Sequence, residues 1–294
     1  MDVSVIIINY NTYALTSRCI ASVFEFTKDL SFEIILVDNA STECDPGKFT
    51  EEFPGITLVR NAENTGFAKG NNTGIEKASG KYILLLNSDT ELKENSIRKC
   101  IGQFAQEPAP GIVTCRLVYP DGRAQFQCQR FPSVALCLLE LFRLHKLLSA
   151  EKKAKILSGP FFSHTENAWP ESVWGTFFLF PAKILRELPG EKLPDDFFMY
   201  GEDLEWCYVF RKKGYRAFYY AGTSVIHHHG ASASEAVLEH KHRNEFFFLR
   251  KYRGDFYART LMFFRSLLWL TSRDPLAGKI RRISFRLFLK GAAA

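Results

Sequence analysis

Tyr82-Ile83-Leu84-Leu85-Leu86-Asn87-Ser88-Asp89-Thr90 is an apolar run that stops abruptly at an Asn-x-Asp pair. The run suits a buried strand. A carboxylate at the C-terminal end of a parallel strand faces the crevice where open α/β sheets bind ligands. From that position Asp89 can hold a hard cation, and the cation can hold a diphosphate.

The pattern continues on both sides. Val3–Asn9, Glu33–Asp38 and Ile56–Arg60 read as strands, and Leu15, Cys19, Ile20, Val23 and Phe24 fall at helical spacing. Asn64-Thr65-Gly66 opens a helix over Phe67–Ala78, and Glu94–Gln106 is a further helix stopped by Pro108, Pro110 and Gly111. Strands alternating with helices predict an α/β fold with a mostly parallel sheet covered on both faces. Farther on, Ile112–Tyr119 and Val173–Phe180 read as strands, with a turn at Pro120-Asp121-Gly122. Val134–Leu157 and Asp203–Lys213 are helical in pattern, and Tyr215–Tyr220 and Ser224–His229 are strand-like. Beyond Ser234 the chain is predicted helical, broken near Gly254, Asp274-Pro275 and Gly278.

Bulk properties narrow the class. The 294 residues are ample for a sizeable core, and 46% hydrophobic with 24% charged residues is ordinary for a soluble globular protein. No apolar run reaches the ~18 residues that a membrane-spanning helix needs. The opening Met-Asp-Val-Ser-Val-Ile-Ile-Ile lacks a basic leader and a cleavage site, so it reads as a first strand. Seven cysteines without a C-x-x-C pair fit reduced thiols in a cytoplasmic protein. From Lys241 onward, 13 Lys/Arg face 3 Asp/Glu, so the rest of this +6 chain carries −4. A basic, aromatic tail suits an anionic surface, membrane or nucleic acid. Nucleic acid is disfavoured, because acidic residues at the strand ends would repel its phosphates.

Four other constellations carry chemistry. Asn9-Tyr10-Asn11 and Asp38-Asn39 each follow a strand and share the sheet edge of Asp89. Asp38 can accept from a nucleobase N–H, and Asn9 and Asn11 can contact a ribose or simply cap a helix. Asn64–Asn72 is glycine-rich and can bring backbone close to a ribose or phosphate, although it matches neither a P-loop nor G-x-G-x-x-G. Gly201-Glu202-Asp203 puts carboxylates at a helix N-terminus behind the aromatic run Phe197-Phe198-Met199-Tyr200. That environment can tune an acid as a general base, and the same residues also describe an ordinary capped helix. Finally, His227-His228-His229 ends a strand with imidazoles, of which His227 and His229 share one face.

These segments, in this order, resemble the family 2 glycosyltransferases of the GT-A fold, especially the rhamnosyltransferase-like branch. The matching stretches are Val3–Asn11, Ile34–Ser41, Asn61–Asn72, Leu84–Glu91, Gly175–Phe180, Phe197–Trp206 and His227–Ser232. The resemblance implies one Rossmann-like, mostly parallel sheet flanked by helices, with a C-terminal helical extension. It implies a catalytic domain over 1–235, with a nucleotide-sugar half to about 110 and an acceptor half after it, and a basic, aromatic extension over 236–294. By position, Asp38 would contact uracil or thymine, with Asn9, Asn11, Asn39, Gly66, Asn71 and Asn87 lining the nucleotide site. Asp89 would bind Mg²⁺ or Mn²⁺ bridging the diphosphate, His227 would complete that site, and Asp203 would be the catalytic base. Trp174, Gly175, Tyr200 and Glu202 would lie on the acceptor side.

This chain departs from the family twice: Asn87 replaces the first Asp of the metal motif, and Leu193-Pro194-Asp195 replaces Phe-Asp-Glu. The implied reaction moves a sugar from a dTDP- or UDP-linked donor to a saccharide or lipid-linked saccharide, with inversion, in cell-surface polysaccharide synthesis. The expected setting is cytoplasmic, with peripheral contact of 254–294 on the inner face of the plasma membrane; a homo-oligomer is compatible. A sugar-nucleotide nucleotidyltransferase is the alternative enzyme, but its glycine-rich basic loop is missing from Asn9-Tyr10-Asn11-Thr12-Tyr13. A non-catalytic nucleic-acid- or membrane-binding protein is the alternative outside enzymes.

Overall fold

The computed structural model describes all residues except 107, 229–234, 271–273 and 292–294. Strands β1 (Val3–Asn9), β2 (Phe32–Asp38), β3 (Thr57–Arg60), β4 (Tyr82–Asn87), β5 (Thr90–Leu92), β6 (Ile112–Val118), β7 (Phe177–Pro181) and β8 (Ala217–His227) form one sheet. Their order is β3-β2-β1-β4-β7-β6-β8-β5. Six of the eight run in one direction; β7 and β5 run against their neighbours. Val3, Val5, Ile6 and Ile7 are buried on both sides of β1, as a parallel strand between two helical layers requires. The chain leaves β1 toward β2 on one side and returns to β4 on the other. The β1 and β4 ends therefore flank the reversal of strand order at which such sheets bind ligands.

Helices α1 (Tyr13–Phe26), α2 (Lys48–Glu52), α3 (Gly66–Ile75) and α4 (Ser96–Ile101) connect the first strands, and α7 (Glu202–Lys212) precedes β8. α3 shows how closely sequence sets packing. Gly66, Gly70 and Gly74 recur every four residues and so form one stripe of the helix. A methyl group on Gly74 would sit 2.5 Å from Ile6 Cγ2, and one on Gly70 would sit 3.1 Å from Asn39 Nδ2. Gly70 and Gly74 let α3 lie directly on β1 and β2.

Several expectations shift locally. The helix expected over Glu94–Gln106 tightens to a 3₁₀ turn at Gly102–Ala105, and Val173–Phe180 becomes a strand only from Phe177. The two strand-like pieces Tyr215–Tyr220 and Ser224–His229 are one strand, β8, whose pairing with β6 slips between Tyr220 and Ser224. The three-residue β5 was not expected from sequence.

The chain divides into two compact units. The first comprises Met1–Gln129 and Ser163–His229 and holds the whole sheet. The second comprises Arg130–Phe162 and Gly230–Ala294. It is built from α5 (Val134–Leu141), α6 (Ala150–Leu157), α8 (Glu235–Arg253), α9 (Asp255–Leu268) and α10 (Ala277–Lys290). Leu261 and Met262 of α9 are fully buried in it, and Arg265 of α9 grips Glu245 of α8 with two hydrogen bonds of 2.6 and 2.5 Å. The second unit carries 19 Lys/Arg against 7 Asp/Glu, and the first carries 19 against 25.

Candidate functional site

Every sequence-predicted site residue among those described lies in the first unit, on the rim formed by the carboxyl ends of β1, β2, β4 and β8 or on the loops that reach it. At the β1–β2 end the side chains bind one another. Asn9 Nδ2 donates to Asp38 Oδ1 at 2.7 Å and to Ser41 Oγ at 2.9 Å, while Asn9 Oδ1 accepts from Thr12 and Thr16 hydroxyls. Asp38 Oδ2 accepts from the Ser41 N–H at 3.0 Å. Asn9 and Asp38 are buried, so this carboxylate is fixed from beneath rather than offered to solvent. Asn11, with φ +53, accepts from the Thr42 and Glu43 N–H groups and shapes the loop above them. Ser41 was not singled out from sequence, since a lone Ser after a strand carries no signal.

Asn39 links this end to α3. Its Nδ2 donates to Gly66 O at 3.0 Å, and its Oδ1 accepts from Asn61 and Thr65. Gly66 has φ +82, and an added methyl there would meet Phe198 O at 2.2 Å. Phe67 N–H donates to that same carbonyl at 2.8 Å. The glycine-rich turn is thus pressed against the aromatic run Phe197–Tyr200. Asn71 Nδ2 donates to Phe67 O, and its buried Oδ1 meets no donor among the described residues.

Asp203 sits in the first turn of α7. The N–H of Gly175 donates to its Oδ2 at 3.2 Å and the N–H of Leu204 to its Oδ1 at 2.8 Å. Gly175 is buried, and a methyl there would press on Phe67 at 3.3 Å. Tyr200 (φ +67) and Gly201 (φ +108) make the sharp entry to α7; a left-handed tyrosine is a strained conformation that the surrounding fold must hold. Glu202 and Glu205 are buried beside Asp203 in the same first turn, where the helix dipole offsets their charge. Trp174 is half-buried and packs on the core.

One residue past Gly175, Thr176 joins Asp203 to the end of β4. Thr176 O accepts from Asn87 N–H at 3.0 Å, and its Oγ1 from Asn87 Nδ2 at 3.4 Å. Asn87 Oδ1 is buried with no donor among the described residues. Burial pushes the neighbouring Cys19 thiol up to about 12, so it stays protonated.

The turn after β4 then pairs β5 with β8, opposing Thr90 and His227. The backbone N–H of His228 donates to Asp89 O at 2.9 Å. His227 Nε2 lies 3.3 Å from Asp89 Oδ1, and His227 is buried. His228 turns away to Glu91 Oε1 at 2.8 Å, as strand alternation requires. His229 and the Gly230–Ser232 part of the motif lie outside the described residues. Gln125 was missed from sequence. It is buried below the rim, and its amide touches His227 twice: Nε2 donates to His227 O at 2.8 Å, and Oε1 meets Nδ1 at 2.6 Å. A polar residue three positions beyond a predicted turn has no pattern of its own.

A sheet of this order, with Asn-x-Asp after β4 and an acidic turn opening α7, defines a GT-A architecture. A family model described as glycosyl transferase family 2 matches residues 4–169, more than half the chain, and the chain belongs to that family. Over 95% of its length it is 21% identical to an N-acetylglucosaminyl-diphospho-decaprenol L-rhamnosyltransferase of Mycobacterium tuberculosis, covering 94% of that protein. It is 27% identical to the O-antigen biosynthesis protein RfbC of Myxococcus xanthus over 76% of this chain. The chain spans between 14% and 42% of the length of three of the curated relatives it matches, RfbC among them. In fold it is similar to the mannosyltransferase PcManGT from Pyrobaculum calidifontis in complex with GDP-Man and Mn²⁺. The TM-score is 0.56 at 18% identity, covering 99% of this chain and 81% of that one.

Proposed function

We propose that this chain is an inverting, metal-dependent glycosyltransferase. It moves a sugar from a nucleoside-diphosphate donor, dTDP- or UDP-linked and rhamnose-type, to a saccharide or lipid-linked saccharide acceptor in cell-surface polysaccharide synthesis. The observation that carries the reading is the Asp89–His227 pair, 3.3 Å apart, on a rim tied through Asn87, Thr176 and Gly175 to the Asp203 carboxylate. The rhamnosyltransferase and O-antigen relatives support the substrate class.

In the reaction, an acceptor hydroxyl oxygen attacks the anomeric carbon as the bond to the diphosphate oxygen breaks. The hydroxyl proton passes to Asp203, whose two backbone donors hold its carboxylate in one orientation. The β1–β2 loops and the α3 turn hold the nucleotide in line for attack. A carboxylate oxygen and an imidazole nitrogen suit Mg²⁺ or Mn²⁺, and the buried Asn87 Oδ1 is a further oxygen donor close by. Among the described residues no three His, Cys, Asp or Glu gather for a metal; substrate phosphates would have to supply further ligands. Asp89 and His227 would hold the ion, whose charge would offset that developing on the diphosphate. The Mn²⁺ in the PcManGT complex supports this choice.

Transfer and donor hydrolysis are to be measured with UDP-, dTDP- and GDP-linked sugars, with Mn²⁺ and with EDTA. Asp203→Asn is expected to bind donor normally and to lose about 10²–10⁴-fold in turnover. Wild-type rates in that variant would end the base assignment, and EDTA-insensitive transfer would end the metal assignment.

The acceptor's location rests on a separate observation. α10 buries Ile280, Ile283 and Leu287 and turns Arg281, Arg282, Phe285, Arg286 and Leu289 outward. Aromatic and aliphatic groups beside cations suit the interface of an anionic bilayer. Ala258, Leu261 and Met262 of α9 serve the core instead, so the surface for peripheral contact with an inner-leaflet membrane centres on α10 and on Phe256, exposed in the first turn of α9. Among the described residues no helix is long and apolar enough to cross a membrane.

A further inference from the structure

We infer that Gln125 is a positioning residue that fixes the tautomer and direction of His227, so that Nε2 of this imidazole is the nitrogen presented to Asp89. The inference rests on the metal reading of the Asp89–His227 pair but concerns a different residue.

A backbone carbonyl can accept a hydrogen bond and cannot donate one, so the Gln125 atom 2.8 Å from His227 O must be the amide nitrogen. Reversing the amide would bring two acceptors together. The amide orientation is therefore set, and the atom 2.6 Å from His227 Nδ1 is the amide oxygen. That oxygen is itself only an acceptor, so Nδ1 must carry the hydrogen. In the neutral ring the lone pair is then on Nε2, the nitrogen 3.3 Å from Asp89 Oδ1. A neutral imidazole binds a metal through its lone pair, and the hydrogen bond at the other nitrogen decides which nitrogen offers it.

Gln125 is held for this task. It is 1% exposed, its N–H donates to Leu117 O at 2.9 Å, and its carbonyl accepts from Gln127 N–H at 3.1 Å. The Val118–Ala124 bridge closes the hairpin that carries it back along the end of β6. His227 is clamped at both ends of its own residue, by its backbone carbonyl and by its ring. The turn after β6, which no catalytic side chain occupies, thereby aims a side chain at the end of β8.

The test uses the full chain and two readouts. Long-range ¹⁵N–¹H correlation on ¹⁵N-histidine-labelled protein reports which His227 nitrogen bears hydrogen, with His227→Ala assigning the signal. Mn²⁺ alone, titrated by electron paramagnetic resonance, reports affinity. Wild type is expected as the Nδ1–H tautomer. Gln125→Leu should give mixed tautomers and bind Mn²⁺ about 10–100-fold more weakly. Gln125→Glu keeps an acceptor for Nδ1–H but sets a second acceptor against His227 O, so it should keep the Nδ1–H tautomer while recovering only part of the affinity. An unchanged tautomer with unchanged affinity in Gln125→Leu overturns the inference, as does mixed tautomerism in wild type. If His227→Ala binds Mn²⁺ as wild type does, the metal reading fails instead, and the tautomer measurement alone decides for or against Gln125.

Discussion

Replacing Gly66 by alanine tests the joint between the turn that opens α3 and the entry to α7. Two costs follow from the geometry. At φ +82 an alanine is left-handed, which costs about 1–2 kcal/mol. Its methyl would also lie 2.2 Å from Phe198 O and 2.7 Å from Phe198 Cδ2, an overlap that must be relieved by moving backbone, at about 1–3 kcal/mol. Together these give roughly 2–5 kcal/mol, or a drop in melting temperature on the order of 10 °C for a body of this size. The movement has a direction. Phe198 leads through the strained Tyr200 into α7, so displacing it shifts Asp203 as well. In the base role proposed for Asp203, misplacement by an ångström is worth about 10²-fold in rate. The assay is calorimetric unfolding together with turnover. Gly66→Asn separates the two costs, because asparagine tolerates positive φ but carries the same Cβ. If the overlap dominates, Asn and Ala are equally harmful. A Gly66→Ala protein that melts within about 1 °C of wild type and turns over normally would refute the reasoning.

The remaining expectations are separate from that joint. In the second unit, Arg265→Met leaves Glu245 without its two 2.5–2.6 Å hydrogen bonds and should cost about 2–4 kcal/mol, measured by urea unfolding, whereas replacing both residues by apolar ones should recover most of the loss. Burial by itself would raise the Glu245 carboxyl, but the Arg265 guanidinium outweighs it and holds that carboxyl below its ordinary value. A carboxyl lowered in the folded state stabilises above its unfolded pKa and loses that contribution as pH falls through the folded one. Wild type should therefore lose more stability on acidification than Arg265→Met does; parallel acid curves would count against the pair. On α10, Phe285→Asp together with Arg282→Glu should abolish flotation with anionic liposomes while leaving the melting temperature unchanged, since both side chains face outward. Unaltered flotation would remove that surface from consideration.

The rim could be read early because its parts are local. Val3–Asn9 is a strand from end to end because five of its seven residues are β-branched, which suits a strand covered on both faces. Asp89 was recognisable because a carboxylate ended an apolar run, and the acidic turn of α7 because Gly201 breaks the chain before it. Asp38 was recognised as a residue of this rim, but its depth was not, because Asn9, which covers it, lies 29 positions earlier in the chain.

What the sequence alone determined is therefore the succession of strands and helices, the parallel sheet, and the edge on which its acidic and amide side chains would end. Periodicity and chain breaks are properties of neighbouring residues. What only the tertiary structure decided is which of those ends touch. His227 meets Asp89 because a three-residue strand pairs with the end of β8, 137 positions away for Thr90 and its partner. Gln125 meets His227 across 102 positions, and Arg130–Phe162 joins helices more than seventy residues farther on. Contacts over such separations are fixed by strand register and by which buried faces fit together, and no local pattern records either.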